Sequence, residues 1–144
     1  MKRLQVLIAG TLAMSFMVSA IAAERLRLIE HTEKEVTVDL GAKGDSSGDL
    51  LTFANTAFDS ADRTQLGVTE GHCVRIVPGK SWECSFTLTL NDGQLSVTGP
   101  YFDGNDSTMA VIGGTGRFAG ARGTMALHAR DSQGSRYDFI FELL

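Results

Sequence analysis

From residue 25 onward this chain nowhere sustains the 3.6-residue recurrence of an amphipathic helix; apolar and polar side chains alternate instead, in short runs broken by turn residues. Trp82, Cys84, Phe86, Leu88 and Leu90 interleave with Glu83, Ser85, Thr87 and Thr89. Tyr137, Phe139, Phe141 and Leu143 do the same near the end of the chain. That period of two predicts antiparallel strands with one buried and one wetter face. Eight are legible, over residues 25–40, 49–58, 66–76, 82–90, 94–101, 108–113, 121–130 and 136–143. Pro78-Gly79, Asn91-Asp92-Gly93, Asp103-Gly104-Asn105-Asp106 and Ser132-Gln133-Gly134 supply the backbone freedom that tight connections need. Eight such strands joined mostly by short turns favour closure into an all-β, antiparallel up-and-down β-barrel, which leaves no edge exposed. An open sandwich is the alternative. A barrel of that size is either filled by side chains or holds one small ligand.

The stretch GPYFDGNDSTMAVIGGTGRFAGARG, residues 99–123, holds seven of the sixteen glycines. Within it, Gly114-Thr115-Gly116-Arg117-Phe118-Ala119 fits the G-x-G-x-x-G/A pattern of a dinucleotide turn. That fingerprint requires a helix next, whose N-terminus holds the pyrophosphate. Here Ala121, Gly123, Met125, Leu127 and Ala129 alternate with Arg122, Thr124, His128 and Arg130, which is the period of a strand. The glycines are therefore expected to serve a barrel corner and not a nucleotide.

Residues 1–22 read as a signal peptide: Lys2 and Arg3 precede a mostly apolar run, and Ala20-Ile21-Ala22 fits a cleavage site. Ala23, not a cysteine, follows, which argues against a lipoprotein. Thr11 and Ser15 interrupt a run already short for a membrane span. Cleavage after Ala22 would leave 122 of the 144 residues, one domain over 23–144, secreted or periplasmic. Losing Lys2 and Arg3 would take the basic count from 13 to 11 against 17 acidic residues. A chain that acidic, without a Lys/Arg cluster, is a poor partner for nucleic acid or, once the leader is removed, for an anionic membrane.

Chemistry in a barrel is sought among polar residues that share a face with apolar ones. Glu30 has the parity of Leu26 and Leu28, Asn55 that of Leu51 and Phe53, and Tyr101 that of Leu95 and Val97. Cys73 shares its face with Gly67, Thr69 and Gly71, small residues expected to leave room. A bulge would reverse any of these assignments. A carboxylate, an amide, a phenol and a sulfur among apolar walls suit an oily ligand with one polar centre. Desolvation there raises the pKa of Glu30, which would stabilise positive charge or move a proton. Tyr101 would offer a π face to a cationic or unsaturated carbon, and Asn55 would hold a water or an oxygen. Read without further context, the three are equally a solvated glutamate, a turn-satisfying asparagine and a core tyrosine.

Several separated motifs, in one order, add that context: GDLLTFANTAFD at 48–59, GVTEGHCVRI at 67–76, SVTGPY at 96–101 and the glycine corner. Together the chain resembles the allene oxide cyclase family and its dirigent relatives over nearly all of its mature length. The resemblance implies the same barrel, often assembled as homotrimers, with no cofactor. It places IEHT Glu30, FAN Asn55, GHC Cys73 and GPY Tyr101 on the pocket wall, with Glu30, Asn55 and Tyr101 as catalytic residues. Thr32, Phe53 and Cys73 would contact substrate. The implied reaction is cyclisation of an unsaturated fatty-acid epoxide to a cyclopentenone, achieved mainly by positioning a reactive substrate.

Three departures accompany the resemblance. Thr32 stands where the family carries asparagine, and no Ser-Pro step occurs within residues 36–47. Cys84 is the third. With a four-residue loop at 77–80, Cys73 and Cys84 face each other, and in an oxidising compartment a disulfide is favoured over two buried thiols. The dirigent comparison fits less well: the acidic and basic pocket pair has no counterpart before Met109, and Asp103 and Asp106 are explained as turn formers. His31, His72 and His128 lie on three strands without ligand spacing, so no metal is expected. Residues 103–106 lack a calcium-loop pattern, no G-x-S-x-G elbow is present, and Arg117 and Arg122 read as surface or strand-end charges. Two readings stand: an isomerase of lipid epoxides, and a barrel that binds a hydrophobic small molecule without turning it over. Dirigent-like guidance of radical coupling is a third.

Overall fold

The computed structural model describes residues 24–144; the expected signal peptide lies outside the described residues. Eight strands follow in sequence: β1 (Glu24–Val38), β2 (Leu50–Phe58), β3 (Gln65–Val77), β4 (Ser81–Leu90), β5 (Gly93–Phe102), β6 (Ser107–Gly116), β7 (Gly123–Ala129) and β8 (Arg136–Leu143). Each pairs antiparallel with its neighbour, and β1 returns to β8 through Glu24↔Leu143 to His31↔Arg136, closing an eight-stranded barrel. Closure excludes the open sandwich.

Two irregularities position the site. In β1 the register against β2 slips between His31 and Lys34, a bulge that changes which side chains face inward. In β3 it slips between Arg75 and Val77, so the turn holds three residues and not four, and the bulge absorbs the difference. Cys73 and Cys84 consequently remain paired and form a disulfide.

β6 runs three residues past its expected end at Gly113, because the glycine corner is a turn over residues 117–122 that follows the strand. Gly116 makes the bend at φ +58, and a side chain there would strike the Asp92 carbonyl. The corner leads into β7 and not into a helix, and Arg117 is occupied by Glu24 and Asp92, so its geometry is that of a barrel corner and not of a pyrophosphate turn.

Core packing divides the barrel into two halves. Where β5 starts and β8 ends, Leu28, Leu88, Leu95, Val97, Met125 and Phe141 are fully buried and fill the interior. The room expected beside Gly67 and Gly71 is taken by their partners on β4: a side chain at Gly67 would run into Leu90, and one at Gly71 into the Cβ of Phe86. Filling stops towards the end carrying the loops 39–49, 78–80, 103–106 and 130–135.

That end is built by ion pairs and capped turns. Asp49, buried, accepts from Leu40 N at 3.0 Å, Gly41 N at 3.3 Å and Ser46 N at 2.8 Å, which folds the β1–β2 loop over itself and holds its carboxyl below the usual carboxylate range. Arg75 ties two loops to the β3–β4 hairpin: Nε lies 2.6 Å from Asp45, a guanidinium NH2 group lies 2.7 Å from Asp103, and the planar head stacks 3.9 Å from the ring centroid of Trp82 on β4.

Candidate functional site

Side chains from all eight strands enclose a cavity of about 120 Å³ in the unfilled half. That is the size class of an apolar cavity that takes a single aromatic ring. Its polar lining is Glu30 and Glu35 from β1, Asn55 from β2, Tyr101 from β5 and Tyr137 from β8. Phe53, Phe86 and Phe139 supply an aromatic wall, with ring centroids 5.9 Å apart for the first pair and 5.7 Å for the second. The Cys73–Cys84 disulfide, Leu51, Met109 and Leu127 complete the wall.

Glu30 is 5% exposed. Alternation along the first half of β1 turns it inward beside Leu28, and its carboxylate accepts from the Thr69 hydroxyl of β3. Burial pushes its pKa up to about 7, while hydrogen bonds to Thr69 and Asn55 restrain the rise. Asn55 is fixed from behind: its Oδ1 accepts from Glu33 N at 2.9 Å and Lys34 N at 3.3 Å, the amides freed by the β1 bulge. The bulge thereby orients the side chain that neighbours both carboxyl groups. Tyr101 and Tyr137 meet edge to face at 6.2 Å, their hydroxyls 3.1 Å apart. Burial and the Tyr101 hydrogen bond hold the Tyr137 phenol well above its usual pKa, so it remains a neutral donor.

Among the residues singled out by sequence, Glu30, Asn55, Tyr101, Phe53 and Cys73 converge on this one cavity. Thr32 does not line it: it lies in the β1 bulge, and its hydroxyl donates to Gly134 O at 2.8 Å. Cys73 contributes a disulfide sulfur and no thiol. His31 stacks on Phe58 at 4.2 Å and holds Asp62 at 2.6 Å, away from the lining residues. Asp103 does more than form a turn, since it accepts from Arg75 and from the Trp82 indole at 3.1 Å. Asp106 pairs with His128 at 2.7 Å.

Sequence reasoning missed Glu35 and the role of Tyr137. Glu35 has the opposite parity to Glu30, and only the bulge brings it to the cavity, where it stays exposed to solvent yet partial desolvation raises its pKa. Tyr137 lies on a strand face legible as apolar, but its partnership with Tyr101 joins strands that are not adjacent.

The arrangement can hold a ring-sized apolar group against aromatic walls, present one carboxyl poised to gain or lose a proton near neutrality, and offer the neutral Tyr137 phenol as a donor. Comparison with solved structures returns the same barrel. Pyocyanin demethylase superposes with a TM-score of 0.69 at 24% identity, covering 82% of this chain and 99% of its own. A pterocarpan synthase dirigent protein gives 0.67 at 18% identity, over 85% and 94%. A Diels-Alderase from Streptomyces koyangensis gives 0.65 at 13%, over 88% and 72%. At these identities the likeness is one of fold. The sequence comparison reaches further, because the allene oxide cyclase family model matches residues 25–141, from the first strand to the last and through every motif that lines the cavity, and this chain belongs to that family.

Proposed function

We propose that this protein is an exported isomerase that cyclises an unsaturated lipid epoxide in its apolar lumen, with Glu30, Asn55 and Tyr101 as the working residues. The observation that carries this reading is the seating of Glu30: a buried carboxylate braced by Thr69 and Asn55 at the wall of an aromatic cavity. Opening the epoxide breaks one C–O bond, leaving negative charge on oxygen and spreading positive charge over the conjugated carbons. A carboxylate beside those carbons stabilises the cationic face, and the Asn55 amide or a phenol hydroxyl stabilises the oxygen. Closure then forms one C–C bond, with no oxidant and no net proton. About 120 Å³ accommodates the reacting segment and not a whole lipid, so the remaining chain would leave by the mouth. Phe53, Phe86 and Phe139 would fold that segment into the conformer that closes. Family membership supports the reading, and the fold relatives bear names of activities on small molecules. Export would rest on residues 1–22, and a homotrimer is the assembly the family suggests.

A second reading, a barrel that binds a hydrophobic small molecule without chemistry, is favoured by the disulfide that consumes the Cys73 thiol and by the diversion of Thr32 to Gly134. The test is chiral analysis of product when the purified protein meets a freshly generated fatty-acid allene oxide, with Glu30→Gln alongside. The cyclase reading expects one cyclopentenone enantiomer in excess, falling at least tenfold in the variant. Racemic product at the spontaneous rate, with ligand still bound, would transfer the case to the binding barrel.

A further inference from the structure

We propose that the lumen selects a ring-sized group that carries or develops positive charge, and excludes anionic groups, with Glu35 as a second selectivity residue beside Glu30. The inference rests on the reading of this cavity as the ligand site. Its lining contains two carboxyl groups and no lysine, arginine or histidine. The donors that could welcome an anion are few and partly committed. Thr69 donates to Glu30; Asn55, anchored through Oδ1 to the bulge amides, neighbours both carboxyl groups; and the single bond between Tyr101 and Tyr137 takes one of their two phenol protons. A ligand carboxylate would shed its water there and become the third acidic group, with two lining carboxyls set against one uncommitted phenol proton, a costly burial.

Positive charge meets the opposite situation. Glu30 or Glu35 neutralises it, and the faces of Tyr101, Phe53, Phe86 and Phe139 attract it further through their ring quadrupoles.

The buried cation on β3 does not offset this. Arg75 follows Cys73 by two residues, yet its guanidinium is spent on Asp45, Asp103 and the Trp82 ring. The loops at the open end carry Asp39, Asp45, Asp49, Asp103, Asp106 and Asp131 against Lys43, Lys80 and Arg130. Arg130 in turn faces Asp62 at 3.6 Å and Asp138 at 3.9 Å. The field at the mouth therefore has the sign of the field in the lumen, and approach and seating discriminate in the same direction. A fatty-acid carboxylate would accordingly stay outside while the cation-forming segment enters.

Three single-ring probes of like size separate the outcomes: N-methylpyridinium, phenol and benzoate, titrated calorimetrically and by amide chemical shifts of the full barrel, in wild type, Glu30→Gln and Glu35→Gln. The expected result is at least tenfold tighter binding of the pyridinium than of the benzoate, shifts concentrated at Phe86 and Phe139, and a narrower preference in either variant. Benzoate bound within threefold of the pyridinium, or more tightly, overturns the charge rule and leaves the ligand site standing. Absence of lumen shifts with all three probes overturns the ligand site, and the charge rule with it. Retention of the full preference in Glu35→Gln removes Glu35 from the proposal.

Discussion

The hydroxyls of Tyr101 and Tyr137 lie 3.1 Å apart although β5 and β8 share no edge of the barrel. The pair spans the lumen and joins opposite walls of the cavity. Because burial and this hydrogen bond both oppose ionisation of Tyr137, that phenol should stay neutral well into alkaline solution.

The chain has only two tyrosines, so alkaline spectrophotometric titration of Tyr101→Phe reports Tyr137 alone. Phenolate is expected to appear only as the barrel unfolds, and not at about pH 10 where a free tyrosine is half ionised. A folded variant with a half-ionised phenol at that pH contradicts the burial assigned to Tyr137. The lost bond itself should cost about 1 kcal/mol of stability.

Glu30 makes a second prediction, in the acid range. Its folded pKa of about 7 lies above the ordinary 4.5, so the native state holds the proton more tightly than the unfolded chain does. Its favourable contribution is complete below about pH 4.5 and is lost as pH rises through about 7, a difference on the order of 3 kcal/mol. Glu30→Gln, which keeps an acceptor for Thr69, should flatten that part of the stability profile and exceed wild type at pH 8. Urea denaturation across that range measures it; parallel profiles for the two proteins would remove the burial penalty assigned to Glu30.

Much of this site is legible in the sequence because parity survives wherever a strand is regular. Glu30, Asn55 and Tyr101 each lie an even number of residues from apolar neighbours with no bulge between, and all three face the lumen. Glu35 lies beyond a bulge that no residue of β1 announces, since neither glycine nor proline marks residues 31–34. The small-residue row in β3 misleads for another reason. Gly67 and Gly71 do leave room, but which neighbour fills it is decided by cross-strand packing from Phe86 and Leu90. The cysteine pair is legible despite an unforeseen bulge, because the shorter turn and the extra residue cancel.

The disulfide closes a short loop, with eleven residues of separation between Cys73 and Cys84. By the loop-entropy relation it should stabilise the barrel by about 3 kcal/mol. Replacing both cysteines by alanine is expected to lower the denaturation midpoint by that amount while far-ultraviolet dichroism keeps its β signature. Reduction of the wild-type protein should reproduce most of the shift. A variant of unchanged stability would show that the paired strands already hold this hairpin without the bond.

Arg75 makes the last prediction, at the mouth. Its side chain is 9% exposed and draws Asp45 and Asp103 from two separate loops onto its own hairpin, where it stacks on Trp82. Arg75→Met keeps the length and the stacking surface but leaves two aspartates without their shared cation. Since Asp45 is 43% exposed and can return to water, the loss should fall near the low end for a broken buried pair, about 3 kcal/mol. Arg75→Lys should recover little, because a single ammonium cannot serve two carboxylates in the plane that also stacks on the indole. Amide exchange distinguishes this clamp from general weakening. In either variant, protection should fall first at residues 39–49 and 103–106 while Leu88, Leu95 and Phe141 in the filled half stay slow. Uniform acceleration across both halves would mean that Arg75 stabilises the whole barrel and does not govern the mouth.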